Sequence, residues 1–211
     1  MRLGADREHD GGWALMGTPT SPSARSFETA DETPALPTND TLSFRRATAD
    51  DAQAITDLVN SAYRGETSKQ GWTTEADLLD GLRTTPQEIK QLISAQDSFF
   101  LLCHRDTMLV GSVHVKKQGN QAYIGMFVVR PDIQGVGIGK RLLQKGETLA
   151  RDSWEVNSYV MIVITSRHEL IAFYERRGYR RTGEFCEFPV NPELWTPKVG
   201  GLKMERLEKR S

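Results

Sequence analysis

Residues 130–143 read RPDIQGVGIGKRLL. Gly135, Gly137 and Gly139 fall on alternate positions between an apolar run, Phe127-Val128-Val129, and an amphipathic stretch, LLQKGETLA. The pattern predicts a strand ending near Val129 and a helix beginning near Ile138. Each glycine lowers helix propensity by roughly 1 kcal/mol relative to alanine, so three at a helix start need a reason. A glycine-rich strand-to-helix turn exposes successive backbone N–H groups at the positive end of the helix dipole, which suits a phosphate. Side chains there would keep a ligand away from the backbone. A dinucleotide fingerprint GxGxxG would need glycine at Lys140. A P-loop would need glycine at Gln134 and Ser or Thr at Arg141. Neither pattern fits, and Q-G-x-G-x-G remains.

Working outward, TLSFRRA alternates as a strand, and Thr48 opens a helix to about Tyr63 with Ile55, Leu58, Val59 and Ala62 on one face. RGETSKQGW reads as a loop and TTEADLLDG as a short helix capped by Thr73 or Thr74. Thr85-Pro86-Gln87-Glu88 combines a capping box with proline at the first helical position, for a helix to about Ala95. SFFLLCHR, MLVGSVHVKK and QAYIGMFVV, separated by turns at Asp106 and QGN, form a predicted three-stranded meander. Beyond the glycine loop come a helix from Ile138 to about Arg151, a buried-type strand SYVMIVIT, and a helix from Glu169 to Arg177 ended by Gly178. Last come a strand YRRTGEFCEF, a proline-rich loop VNPELWTPKVGG and a strand LKMERLE. A meander combined with helical crossovers indicates an α/β (α+β) protein built on one central sheet flanked by helices.

The chain has 211 residues, enough for one domain and a tail. Residues 1–40 contain no Ile, Val, Tyr or Lys and are rich in Gly, Pro, Ser and Thr. They cannot bury enough apolar surface to offset their ordering entropy, so a disordered tail is expected there and the folded domain over 41–211. The tail's seven acids and three arginines give about −4, which leaves +3 for the rest of a chain whose net charge is −1. That bias suits an anionic ligand but is no nucleic-acid footprint. No apolar run approaches the roughly 20 residues of a membrane span, and no secretory signal is expected. Cys103 and Cys186, in apolar strand-like contexts, are expected as buried free thiols, which favours the cytoplasm. His168 and Glu169 have no further ligand spaced to join them, so no metal is expected.

Gln134-Gly135-Val136-Gly137-Ile138-Gly139, after Arg130-Pro131, resembles the acetyl-CoA pyrophosphate loop of the GNAT superfamily of N-acetyltransferases. The family pattern Arg/Gln-x-x-Gly-x-Gly/Ala falls on Gln134, Gly137 and Gly139. Downstream, Phe173-Tyr174-Glu175-Arg176-Arg177-Gly178-Tyr179 resembles the family's F-Y-x-x-x-G-F/Y helix–strand junction. The resemblance covers about residues 42–208. It implies a mixed, mostly antiparallel, twisted sheet that splays at the cofactor site. It also implies transfer of acetyl from acetyl-CoA to a primary amine of a small molecule, by direct attack in a ternary complex. The alternatives are a protein lysine or N-terminal acetyltransferase and a non-catalytic acyl-CoA-binding protein.

Residue by residue, the resemblance assigns the pyrophosphate to the backbone amides of Gly135, Val136, Gly137, Ile138, Gly139 and Lys140, with Gln134 and Lys140 flanking. The N–H of Phe127 or Val128 would face the thioester carbonyl, and Val129 would pair with pantetheine. Tyr174 takes the position of the family's general acid toward the leaving sulfur. QAYIGMFVVR lacks the glutamate that many members carry on this strand, so the base stays open among Glu66, Glu184, Glu187, His114 and ordered water. Acceptor-pocket candidates are Tyr63, Arg64, Glu66, Trp72, Tyr123 and Trp195. Arg176, Arg177, Arg180 and Arg181 suit either the CoA 3′-phosphate, an acidic acceptor or a solvated helix end. A homodimer pairing through the C-terminal strand is compatible with the sequence.

Overall fold

The computed structural model describes residues 41–189 and 191–211; the expected tail, 1–40, lies outside the described residues. The architecture is mixed α/β. Its main sheet contains β1 (Leu42–Arg46), β3 (Ser98–Arg105), β4 (Met108–Gln118), β5 (Gln121–Val129), β6 (Ser158–Ile164), β9 (Lys203–Arg210) and β7 (Arg180–Glu187), in that spatial order. All neighbours are antiparallel except β5 and β6. The period-2 pattern of β3 shows how the layers form. Phe99, Leu101 and Cys103 pack toward α4 (Ile138–Trp154), while Phe100 and Leu102 pack with α1 (Ala52–Tyr63) and α3 (Pro86–Ser94). The predicted apolar face of α1, Ile55, Leu58, Val59 and Ala62, is buried in that second layer.

The helix caps behave largely as expected. The Thr85 hydroxyl accepts from the Glu88 N–H at 3.2 Å, and Pro86 occupies the first turn of α3. The reciprocal half of the box is replaced, because the Glu88 carboxylate accepts from the Thr84 hydroxyl at 2.7 Å. Gly178 follows α5 (His168–Glu175) at φ +91°, the left-handed conformation that favours glycine at a helix end.

Several expectations are corrected. RGETSKQGW is not all loop: Gly65–Ser68 forms a single turn, α2, in which the Ser68 hydroxyl donates to the Gly65 carbonyl. TTEADLLDG is a turn followed by a strand, β2 (Leu79–Gly81), because its backbone finds a partner in β8 (Trp195–Pro197), inside the supposed proline-rich loop. Tertiary pairing there overrides a local helical pattern. Cys103 is buried as expected, and burial pushes its thiol up to about 11. Cys186 is exposed, as is the rest of β7, the edge strand of the sheet. The C-terminal strand β9 has β6 on one side and β7 on the other, so it has no free edge to offer a second copy.

The feature that positions the site is the β5–β6 junction. The two strands pair only over Gln121–Tyr123 and Ser158–Val160. Beyond that they diverge, and both continue to their ends without each other. Across the same stretch β5 is bulged against β4, with the register shifting between Ser112 and His114 and Met126 at φ +42°. A bulge kinks and twists a strand, which turns the far half of β5 away from β6 and opens a wedge in the sheet.

Candidate active site

The glycine loop lies at the mouth of this wedge. After β5, Pro131–Ile133 make a short 3-10 turn, Gln134 is extended, and α4 starts at Ile138. Gly135 and Gly137 stand at φ +91° and +88°, and a Cβ at either would meet nothing within 4 Å. Their requirement is therefore conformational. Gly139 differs, because a Cβ there would lie 3.4 Å from the Phe127 ring and 3.6 Å from the Phe173 ring. It lets the first turn of the helix approach the aromatic wall.

The side chain of Gln134 is spent inside the protein. Its Oε1 accepts from the Trp72 N–H at 3.0 Å, and its Nε2 donates to the Thr73 hydroxyl at 2.8 Å and the Val129 carbonyl at 3.0 Å. It straps the segment after α2 to the end of β5. Gly71 is part of this strap, since a Cβ there would come within 2.7 Å of Gln134 Oε1.

A cavity of about 300 Å3 follows the loop, lined by Gln134, Gly135, Gly137, Ile138, Gly139 and Lys140 on one side. Tyr63, Trp72, Phe127, Val129, Leu170 and Phe173 form much of the other. The Trp72 and Phe173 rings lie 5.5 Å apart and the Phe127 and Phe173 rings 6.1 Å. The Arg177 guanidinium caps Phe173 at 3.3 Å from the ring centre and donates to its carbonyl at 2.6 Å. Of the residues expected at the cofactor, Val128 has its side chain in the α1 layer, and Val136 is exposed outside the cavity lining.

A second cavity has a volume of about 210 Å3. Tyr63, Phe127 and Leu170 line both spaces. The Tyr63 hydroxyl donates to the Phe127 carbonyl at 3.0 Å, and burial pushes its phenol up to about 12. Tyr123, Tyr174 and Trp195 line this second cavity, as does Arg64. Tyr174 is 5% exposed and its hydroxyl has no hydrogen bond among the described residues; burial holds the phenol well above its ordinary range. Trp72 belongs to the first cavity instead. Glu66 lies in neither, being exposed and paired with Lys69 at 2.7 Å.

The candidates for a base do not gather here. Burial lowers the His114 imidazole to about 4; it stacks on Phe100 and bonds the Ser98 hydroxyl at 2.9 Å. Glu184 is exposed, 3.5 Å from Arg206, and Glu187 is exposed at the end of β7. Arg176 and Arg177 line the first cavity, whereas Arg181 pairs with the buried Glu205 and Arg180 is exposed on β7.

What sequence reasoning missed is a charged cluster in the second cavity: Glu75, Arg83 and Arg167, beside Arg64. Glu75 joins both arginines, accepting from Arg64 Nη1 with one oxygen and from Arg167 Nη1 at 2.9 Å with the other. Arg64 and Arg167 are 103 positions apart in sequence, and Glu75 sits in a segment that looked like an ordinary amphipathic helix. No local signal marks such a cluster; it exists only after the fold brings three segments together. Among the described residues, no group of three or more His, Cys, Asp or Glu is placed to hold a metal, and no helix is long and apolar enough to cross a membrane.

Comparison with known proteins agrees with this geometry. The family model for the acetyltransferase (GNAT) domain matches residues 73–189, and the chain belongs to this family. An S-(2-succino)cysteine N-acetyltransferase of Bacillus subtilis (strain 168) is 44% identical over 64 residues, which are 29% of this chain and 38% of that protein. The chain thus matches well under half of that relative's length. The ribosomal-protein-S18-alanine N-acetyltransferase of Escherichia coli superposes with a TM-score of 0.60 at 11% identity, over 81% of this chain and 94% of that one. The PaiA N-acetyltransferase of Thermoplasma acidophilum, solved in complex with coenzyme A, superposes with a TM-score of 0.57 at 17% identity, over 81% and 99%. At these identities the likeness is one of fold.

Proposed function

We propose that this acetyltransferase moves an acetyl group from acetyl-CoA to the primary amine of a small molecule, directly, within a ternary complex. One observation carries the reading: two cavities meet at Phe127, where the sheet is splayed, one bordered by the glycine loop and the other by Tyr174. Neither lining contains a cysteine; Cys103 lies in the core and Cys186 on the edge strand. That favours direct transfer over a thiol-bound acyl-enzyme. The named activity of the Bacillus relative, N-acetylation of a small amino compound, agrees with the acceptor class.

The residues present fit acetyl-CoA. The backbone N–H groups from Gly135 to Lys140, at the start of α4, would hold the pyrophosphate. Arg176 and Arg177 extend the positive border of the cavity. Acetyl-CoA supplies the acetyl group as a thioester. The diverging half of β5 presents backbone toward the wedge: Val129 would pair with pantetheine, and the N–H of Phe127 or Val128 would donate to the carbonyl oxygen as negative charge grows there. A preorganised donor of this kind contributes roughly 3–4 kcal/mol. The transfer joins the amine nitrogen to the acetyl carbon, breaks the carbon–sulfur bond and leaves a free thiol.

Tyr174 would serve the leaving sulfur. Its phenol is held protonated by burial, so it donates a hydrogen bond and keeps its proton until the sulfur is fully basic. The amine must arrive neutral. Glu75, the carboxylate in the acceptor cavity, is tied to two arginines. Deprotonation therefore goes to solvent, and Arg64, Arg83 and Arg167 help by disfavouring an ammonium group beside them.

The test is CoA release from acetyl-CoA, read by chromatography with a panel of amines. Amine-dependent release with intersecting, sequential kinetics is the expected result. Ping-pong kinetics, or tight acetyl-CoA binding without release for any amine, would overturn the reading in favour of an acyl-enzyme or an acyl-CoA-binding protein.

A further inference from the structure

The second cavity carries more positive charge than its own wall uses. Arg64, Arg83 and Arg167 line it, against one carboxylate, Glu75. The Arg64 and Arg167 side chains are only 5% and 7% exposed. Burying a guanidinium is expensive unless its donors and its charge are matched, and here they are not fully matched. Arg64 Nε and Arg167 Nη2 have no hydrogen-bond partner among the described residues. Arg83, half-buried, forms no ion pair among them. The wall, which Tyr174 also lines, thus holds a surplus of two positive charges, and two of its guanidiniums keep a buried donor that no described group satisfies.

We infer that the acceptor amine bears a carboxylate, and that Arg64, Arg83 and Arg167 bind it: the substrates are small amino-carboxylates, not polyamines or uncharged aryl amines. This rests on the N-acetyltransferase reading. A guanidinium matches a carboxylate in charge and in planar, two-pronged geometry. A polyamine would instead bring further cations against three arginines. Glu75 holds Arg64 and Arg167 in place without cancelling them, because one carboxylate offsets only one of three charges. The space, about 210 Å3 and lined also by Tyr123 and Trp195, suits an acceptor of amino-acid size.

The test uses the full chain with saturating acetyl-CoA and matched acceptors: methionine, phenylalanine and S-carboxymethylcysteine, with methioninamide and phenylalaninamide as partners of the same shape lacking the α-carboxylate, and spermidine. The expected result is a kcat/KM for the acids above that of their amides by roughly ten- to a hundredfold. Arg83→Met, which has no ion pair to break, should lower that ratio, with Arg64 and Arg167 still in place, while the KM for acetyl-CoA holds. Equal use of acid and amide, a preference for spermidine, or an unchanged ratio in Arg83→Met overturns the inference. Should no amine release CoA, the transferase reading fails on its own, and calorimetric titration still decides this one. Binding of S-carboxymethylcysteine that Arg83→Met weakens supports it; binding of spermidine, or of neither, overturns it.

Discussion

Glu75→Gln is the most informative single substitution for the structure. Glu75 is 11% exposed by side chain and lies between Arg64 and Arg167, at 5% and 7%. Glutamine keeps the shape but removes the one negative charge and turns an acceptor into a donor facing a guanidinium. Breaking a buried pair by removing one partner costs about 3–5 kcal/mol, because an uncompensated charge is left behind. Glutamine retains one carbonyl oxygen, which places the expected loss at the lower end, about 3 kcal/mol. For a domain of this size each kcal/mol lowers Tm by about 2–4 °C, so the midpoint should fall by roughly 6–12 °C. Urea unfolding followed by circular dichroism gives the free energy, and calorimetry gives the midpoint. A loss below about 0.5 kcal/mol, the scale of an ordinary surface change, would refute the argument by showing that water already screens the cluster. A companion variant sharpens the point. Replacing the three residues together by Met, Leu and Met should restore stability to near the parent, since apolar groups of similar volume often replace buried ion pairs without loss. That protein should nonetheless lose its preference for acceptors with a carboxylate, which would separate what the charges do for function from what they do for folding.

Tyr174→Phe should cut turnover with little change in acetyl-CoA affinity or in Tm, since the hydroxyl has no hydrogen bond to lose among the described residues; unchanged turnover ends its role. Gln134→Ala removes three hydrogen bonds, each contributing about 0.5–1.5 kcal/mol, and should raise the KM for acetyl-CoA and speed proteolysis of the segment around Trp72. His114 is neutral in the fold, with a pKa of about 4 against an ordinary value of 6.5. A depressed histidine leaves stability intact above its unfolded value and erodes it as pH falls toward the folded one, so His114→Gln should flatten by about 3 kcal/mol the stability lost between pH 6.5 and 4. In the native protein one thiol, Cys186, should react quickly with a disulfide reagent while buried Cys103 stays protected, checked by mass spectrometry after brief labelling.

Elements whose fate is set by their own periodicity were legible in the sequence. The alternation of SFFLLCHR divides its side chains between two layers, and Thr85-Pro86 starts a helix whatever surrounds it. The glycine loop was legible too, since positive φ at Gly135 and Gly137 leaves a mark in the residues themselves. Segments decided by distant partners were not. TTEADLLDG takes its strand from Trp195–Pro197. Cys186 reads as apolar strand, yet only the sheet order reveals that β7 is an edge. Gln134 matches the loop pattern, but its side chain turns inward to Trp72 and Thr73. Glu75 enters the candidate site only because the fold brings Arg167, just before α5, to it from 92 positions away.

The position of the site follows from one choice of topology. β5 and β6 are the parallel neighbours of an otherwise antiparallel sheet. A parallel pair needs a crossover, here α4, and the crossover must leave from the carboxyl end of β5. So the positive end of α4 and the diverging end of β5 are at the same place by construction. The bulge at Met126 then takes the end of β5 away from β6, which leaves a gap that side chains only partly fill. Phe127, just past the bulge, lines both cavities. The arginine cluster uses the remaining side of that gap, where α1 ends at Tyr63 and α5 begins at His168. A chain with this crossover and an unbulged β5 would pair β5 with β6 along their length, closing both cavities. Removing the bulge, more than changing any one lining residue, should therefore abolish binding in both cavities at once.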